Sequence, residues 1–167
     1  MSDTQLLEKA RQAIVDGLAL DEFEGTAYED LVRRAAELCG SAYAVISVVD
    51  GDRLWFKSRS GIDLTERPRT SSFCDHAIGD AEHVTVVEDA AIDARFSSNP
   101  NVTGAPHIRF YVGVPLIFHG HPIGTLCAFD PLPRTVDADQ LSELRFLADQ
   151  VMLTLDLRRQ GHAAGVN

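Results

Sequence analysis

Lysine is nearly missing from this chain: Lys9 and Lys57 are the only two in 167 residues. Basic residues total 15 against 25 acidic ones, a formal net charge of −10, with a pI near 4.9. Phosphates would be repelled, so nucleic acid and anionic membrane surfaces are excluded as general partners. Cysteine is scarce too. Cys39, Cys74 and Cys127 give no even disulfide framework and no metal-type pair. Their apolar neighbours point to reduced, buried thiols in a cytoplasmic protein. No apolar run approaches the ~20 residues of a membrane span. No basic segment followed by an apolar run opens the sequence, so no secretory signal is visible. No internal repeat is present.

What remains is ordinary globular composition, 45% hydrophobic and 24% charged, which argues against extensive disorder. The length suits one domain by the rule of ~150 residues per domain. It is enough to bury a core without metal or disulfide staples.

Hydrophobic periodicity gives the elements. Leu6, Ala10, Ile14 and Leu18 recur every fourth place, predicting a helix over 4–18 that the acidic stretch 21–24 ends. Thr26 and Glu29 form a capping-box pattern for a second helix, with Gly40 as its C-cap. Ala42 to Val49 is apolar at nearly every position, as a strand buried on both faces reads. Asp50-Gly51-Asp52 is a hairpin signal, and 53–60 returns as an alternating strand. Residues 61–70 read as loop. Ser72 with Asp75 opens a short helix ending near Gly79. A short strand follows over 84–87, then one or two helical turns over 89–95, then loop to His107. The last hairpin pairs 108–118 with 123–129, and Gly124 marks a close backbone approach.

The final helix, 137–159, carries two apolar stripes. Leu141, Leu144, Ala148, Val151 and Leu155 form one; Phe146, Leu153 and Leu157 lie on the other side. A helix that only covers a sheet needs one stripe. The second predicts either a partner copy or a second layer of the same chain. Tight turns force the consecutive strands antiparallel. With helices before, between and after them, the fold class is an α+β sandwich, not a doubly wound sheet.

Several stretches then resemble the GAF domain family. They are Ser72-Phe73-Cys74-Asp75-His76-Ala77-Ile78, Val87-Glu88-Asp89-Ala90, and Asp93-Ala94-Arg95-Phe96 with Asn99-Pro100. They continue as Ile108-Arg109-Phe110-Tyr111-Val112-Gly113-Val114-Pro115-Leu116 and Ile123-Gly124-Thr125-Leu126-Cys127 with Asp130. The nearest likeness is to GAF domains of bacterial sensor histidine kinases and cyclic-di-GMP signalling proteins. The resemblance implies a GAF-like (PAS-like) central antiparallel sheet of five or six strands between terminal helices and a loop/helix lid. It divides the chain into an N-terminal helix and linker (1–23), the GAF domain (24–160) and a disordered tail (161–167).

By that resemblance the function is sensory: an unidentified small molecule binds under the lid of a homodimer built on the terminal helices. A signalling kinase or cyclase would receive the output. Ligand-binding residues expected from it are Trp55, Phe73, Cys74, Phe96, Phe110, Tyr111 and Leu126, with Arg109 as polar anchor. Arginine's fork suits carboxylates and phosphates. A structural ion pair with an acidic lid residue is the alternative for Arg109.

Particular GAF chemistries fail on the residues. No Asn-Lys dipeptide exists, so cyclic-nucleotide binding of the family's type is not expected. The cysteines precede Gly40, Asp75 and Ala128, never histidine, so no covalent bilin is expected. Cys74 falls near a position used by free methionine sulfoxide reductases, but its partner cysteines are missing. Reductase activity is the enzyme alternative, and a ligand-free interaction domain is the other. No catalytic residue and no metal site is assigned. Cys74 and His76, two apart on a helix, do not face each other. His119-Gly120-His121 lacks a third ligand and reads as a solvated turn. Asp89, Asp93 and Arg95 read as caps. The local basic run of Arg53, Lys57, Arg59, Arg67 and Arg69 reads as a solvated edge.

Overall fold

The structure, a computed structural model, describes residues 1–20 and 25–164. The acidic stretch 21–24, the boundary after 23 and the last three residues of the expected tail lie outside the described residues. Among the described residues the α-helices and strands follow in order: α1 (Asp3–Gly17), α2 (Thr26–Cys39), β1 (Tyr43–Asp50), β2 (Arg53–Ser60), β3 (Glu66–Pro68), α3 (Phe73–Gly79), β4 (Thr85–Val87), α4 (Pro100–Thr103), β5 (Phe110–Phe118), β6 (His121–Asp130) and α5 (Ala138–Ala164), with short 3-10 turns at Arg69–Ser71 and Ala90–Ile92. The six strands form one sheet, ordered β3-β2-β1-β6-β5-β4, and every pairing is antiparallel.

The central strands explain the layers. Successive side chains of a strand point to opposite faces. On β1, Ala44, Ile46 and Val48 join one core, with Phe110, Val112, Val114 and Leu116 of β5 and Leu126 and Ala128 of β6. The covering side chains there come from α1 (Val15), α2 (Val32, Ala35, Cys39) and α5 (Leu144, Leu147, Ala148, Val151, Leu155). Val45 and Val49 of β1 face the other way. They meet Leu54 and Phe56 of β2, Tyr111 of β5, and Cys127 and Phe129 of β6, under a lid that supplies Phe73, Cys74, Ile78 and Phe96. Each buried Leu, Ile, Val or Phe contributes about 1.5–3 kcal/mol over the exposed state.

Several local expectations need correction. Thr26 does not cap α2. It is the first helical residue, and Gly25, with φ 144°, occupies the cap without a side-chain bond. That backbone angle belongs to glycine, and it carries the chain into the helix one residue early. Residues 61–70 are not all loop: Glu66–Pro68 pairs with β2 as an edge strand. Its three residues are too few to show a period, its one inward residue is Arg67 rather than an apolar one, and an edge tolerates Pro68. The loop 96–107 holds one short helix, α4, whose cap is the Asn99 side chain. Helix α5 runs to Ala164, four residues into the expected tail. Gly161 alone costs a helix about 1 kcal/mol and does not stop it.

Gly40, by contrast, closes α2 in the left-handed conformation, φ 62°, as expected. Gly124 lies so close to β1 that any side chain there would strike the Ser47 carbonyl. Helix α1 has a capping box, Ser2 with Gln5, at its start. It adds Val15 to the helix-side core. Its buried Arg11 donates to the Val49 carbonyl at 2.7 Å, so α1 is fastened to the sheet. On α5, Phe146, Leu153 and Leu157 are about half exposed. Their face has no partner among the described residues.

Candidate functional site

A cavity of about 290 Å³ lies between the sheet and the lid. Val45, Leu54, Phe56, Tyr111, Cys127 and Phe129 form its floor; Phe73 and Cys74 of α3 form part of its roof. The rim comes from Arg67 and Pro68 of β3 and from Pro100, Asn101, Ala105, Pro106 and Ile108. The volume stands at the small end of the ~300–1,000 Å³ usual for ligand pockets. The walls are chiefly apolar and aromatic. The polar features are few and separated: a guanidinium at the rim and a sulfur cluster at depth.

At the rim, Arg67 Nη2 donates to Asn101 Oδ1 at 2.8 Å. This ties β3 to α4 across the mouth. At depth, Cys74 Sγ stands 3.9 Å from Cys127 Sγ. The Thr125 hydroxyl donates to Cys74 Sγ at 3.2 Å, and the Tyr111 hydroxyl does so at 3.5 Å. Ser47 Oγ is 2.9 Å from Thr125 Oγ1. A hydroxyl has one proton to give, so with Thr125 donating to sulfur, Ser47 donates to Thr125. These donors favour a thiolate. The Cys127 thiol first, then the Thr125 and Tyr111 hydroxyls with Ser47 behind Thr125, hold the Cys74 thiol below the ordinary cysteine range against the opposing burial. Burial pushes Cys127 well up, and the charge of Cys74 adds to it. Burial likewise keeps Tyr111 protonated.

The roof helix is fixed by named bonds. Ser72 Oγ accepts from the Asp75 amide at 3.0 Å and starts α3. Asp75 accepts from Arg69 Nε at 2.7 Å, and Arg69 Nη1 reaches Glu8 of α1 at 2.5 Å. Glu8 also takes Arg11 Nε at 2.9 Å. Arg11 and Arg69 together hold the Glu8 carboxyl at a pKa of about 2. The roof is thereby wired to α1 through one carboxylate held between two guanidinia.

Of the residues expected to bind a ligand, the cavity brings together Phe73, Cys74 and Tyr111. Five others lie elsewhere. Phe110 and Leu126 are completely buried in the helix-side core, because each differs by one place from Tyr111 and Cys127, and parity decides the face. Trp55 also packs against that core, beneath Arg53 and Lys57 at 4.9 and 5.3 Å. Phe96 stacks on Phe73 with ring centroids 4.3 Å apart and supports it from behind. Arg109 makes a fork to Asp89, at 2.6 and 2.8 Å, on the surface. Its guanidinium holds Asp89 below the usual carboxylate range. The ion-pair reading of Arg109 is therefore the observed one.

The basic run is a solvated edge only at Arg53 and Arg59: Lys57 donates to the Leu20 carbonyl at 2.7 Å, and Arg67 and Arg69 are the half-buried residues of the rim and the roof linkage. Arg53 pairs with Asp50 and Glu66, and Arg59 with Asp63. His119 turns the β5–β6 hairpin at φ 49°. Among the described residues, no group of three or more His, Cys, Asp or Glu side chains could hold a metal ion. Among the described residues, no helix is long and apolar enough to cross a membrane.

Sequence reasoning missed Cys127, Arg67, Asn101 and Phe129. The reason given against internal thiol chemistry, a missing partner for Cys74, does not hold in three dimensions: Cys127 is that neighbour. The signal was available in β6, where Thr125, Cys127 and Phe129 share one face.

The sequence model of the GAF domain family matches residues 25–155. A cyclic di-GMP phosphodiesterase of Pseudomonas aeruginosa is 41% identical over 129 residues, covering 76% of this chain and 22% of that protein. This chain thus spans about a fifth of that relative's length. The GAF domain of an Acinetobacter phosphoenolpyruvate-protein phosphotransferase superposes with a TM-score of 0.65 at 18% identity, over 100% of this chain and 98% of that one. A domain of a two-component sensor histidine kinase protein from Sinorhizobium meliloti gives 0.63 at 18% identity, over 84% and 95% of the two chains.

Proposed function

The chain belongs to the GAF domain family, and from that premise we propose that it is a regulatory module that binds a small, mainly apolar molecule beneath α3 and works as a homodimer through its terminal helices. It acts by binding rather than turnover. One observation carries the reading: the roof of an apolar cavity is tied by Arg69 and Glu8 to α1. A molecule that fits one position of α3 better than another shifts that equilibrium by its difference in affinity, tenfold for each ~1.4 kcal/mol. The shift passes along the guanidinium–carboxylate chain to α1.

The dimer surface in this reading is the exposed apolar face of α5. Phe146, Leu153 and Leu157 recur at spacings of seven and four, as a helix–helix seam requires. The likeness to a cyclic di-GMP phosphodiesterase supports an output enzyme of cyclic-dinucleotide signalling; a kinase partner is the other form of the same output. Three free cysteines support a reducing, cytoplasmic setting.

The test uses the full chain and a fractionated small-molecule extract of bacterial cytosol. A fraction that raises the melting temperature should also slow hydrogen exchange in α3 and α1. Ala105→Trp, at the cavity rim, should abolish both effects while leaving the apo melting temperature unchanged. Stabilisation that survives Ala105→Trp would remove the cavity from the account. Absence of any stabilising fraction would leave the ligand-free dimerisation domain as the function.

A further inference from the structure

The sulfur cluster has more polar equipment than a packing role explains. Two hydroxyls and one thiol converge on Cys74 Sγ. All belong to side chains that are 0–4% exposed. Burying donors in an apolar wall is costly unless an acceptor uses them, and a thiolate is the acceptor they suit. The backbone makes room for one of them. Gly113 stands opposite Cys127 in the β5–β6 register, and a methyl group there would overlap the phenol of Tyr111. Only a residue without a side chain lets that phenol lie across the strand and reach Cys74. Cys39 shows the contrast: it is buried in the helix-side core with burial alone acting, which pushes its thiol up to about 11.

We propose that Cys74 is an oxidation site for organic hydroperoxides that enter the cavity, and that Cys127 resolves it to a disulfide joining α3 to β6. The site uses the cavity of the proposed function but needs no reversible ligand. The Cys74 thiolate attacks the terminal peroxide oxygen. A sulfur lone pair forms the S–O bond, the O–O bond breaks, and the alkoxide leaves as the alcohol after taking a proton from the Tyr111 hydroxyl, which water restores. The Cys127 sulfur then attacks the Cys74 sulfenic acid, and hydroxide leaves as water with the Cys127 proton. One hydroperoxide and two thiols give one alcohol, one water and one disulfide. A small dithiol reverses the step by exchange.

The bond also has a structural consequence. Sulfurs 3.9 Å apart must close by ~1.9 Å to reach disulfide length. Cys74 lies on α3 beside Asp75, so the movement pulls on the same Arg69–Glu8 link. Oxidant and ligand are then two inputs to one roof. The apolar walls favour an organic hydroperoxide over hydrogen peroxide.

The experiment treats the reduced full chain with cumene hydroperoxide or hydrogen peroxide and reads intact mass, peptide-mapped disulfides and sulfenate trapping by dimedone. The wild type should form the Cys74–Cys127 disulfide, with cumene hydroperoxide the faster reagent. Each unit by which the thiol pKa falls makes about tenfold more thiolate near neutral pH, so Cys74 should react at least about tenfold faster than Cys39. Cys127→Ser should trap dimedone at Cys74 and form no disulfide, which keeps the test valid if Cys74→Ser fails to fold. Tyr111→Phe should move the pH midpoint of the reaction upward, which a packing role would not do. Equal rates at Cys74 and Cys39, or a sulfenate that never becomes a disulfide in the wild type, would overturn the proposal. If Cys74 proves inert while a cytosolic fraction still stabilises the protein, the redox site fails and the ligand reading stands. The faster reagent being hydrogen peroxide would overturn the organic substrate class.

Discussion

The two faces of one sheet are built from the same strands and do different work. In β6, Leu126 and Ala128 fill the core under the helices, while Thr125, Cys127 and Phe129 face the lid. The helix side is filled by aliphatic side chains from three long helices, and its polar groups are few. The lid side keeps a cavity of about 290 Å³ and places hydroxyls and thiols at its floor. The helix-side core and the cavity are thus separated by side-chain parity, one residue apart along each strand.

This separation can be broken most forcefully from the helix side. Leu144→Ala, at a site 1% exposed, should cost about 2–5 kcal/mol in chemical denaturation. Its free thiols should still react as in the wild type while the chain is folded. Equal loss of stability and of Cys74 reactivity would erase the distinction between the faces.

A smaller effect is expected at the joint between the faces. Arg69→Ala removes the bonds to Glu8 and Asp75 and should cost about 1–3 kcal/mol. Hydrogen exchange should then quicken in α3 and α1 together. Faster exchange in only one of them would show that Arg69 does not connect them.

The same joint has a pH signature. The Glu8 pKa falls from 4.5 to about 2 on folding. A depressed carboxylate contributes stability above its unfolded pKa and loses it as pH falls through the folded value. Denaturation midpoints should therefore fall between pH 4.5 and about 2 more steeply in the wild type than in Glu8→Gln. Parallel profiles would contradict the role given to Arg11 and Arg69.

The smallest change in stability is expected at α5. Leu153→Glu, at an exposed position, should alter the fold by less than about 0.5 kcal/mol. Light scattering should nevertheless show a monomer, against the dimer expected of the wild type. A wild-type monomer, or a dimer that survives this change, would remove α5 as the seam.

The sheet, its hairpins and the main helices were legible because their periods are strong. Residues 53–60 alternate cleanly, and 42–49 read as a strand buried twice. That second pattern hides the site. A strand apolar on both faces does not say which parity looks toward the lid, so Phe110 and Leu126 were as plausible as Tyr111 and Cys127. Size misled as well: Trp55 is large and aromatic, yet its parity turns it to the helix side. The remaining gaps are matters of distance along the chain. Arg109 finds Asp89 twenty positions away, and Cys74 finds Cys127 fifty-three positions away. Local pattern carries no information about such meetings. β3 was invisible because three residues are too short for a period and its inward residue is an arginine.

In the proposed function the lid side receives a small molecule, while the buried core of the helix side holds the fold. Native mass spectrometry of the full chain, purified from bacterial cytosol beside Ala105→Trp, tests it most directly. The account predicts a noncovalent small-molecule adduct on the wild type and none on the variant, with both folded alike. An identical adduct on both, or a bare wild type from every preparation, would contradict it.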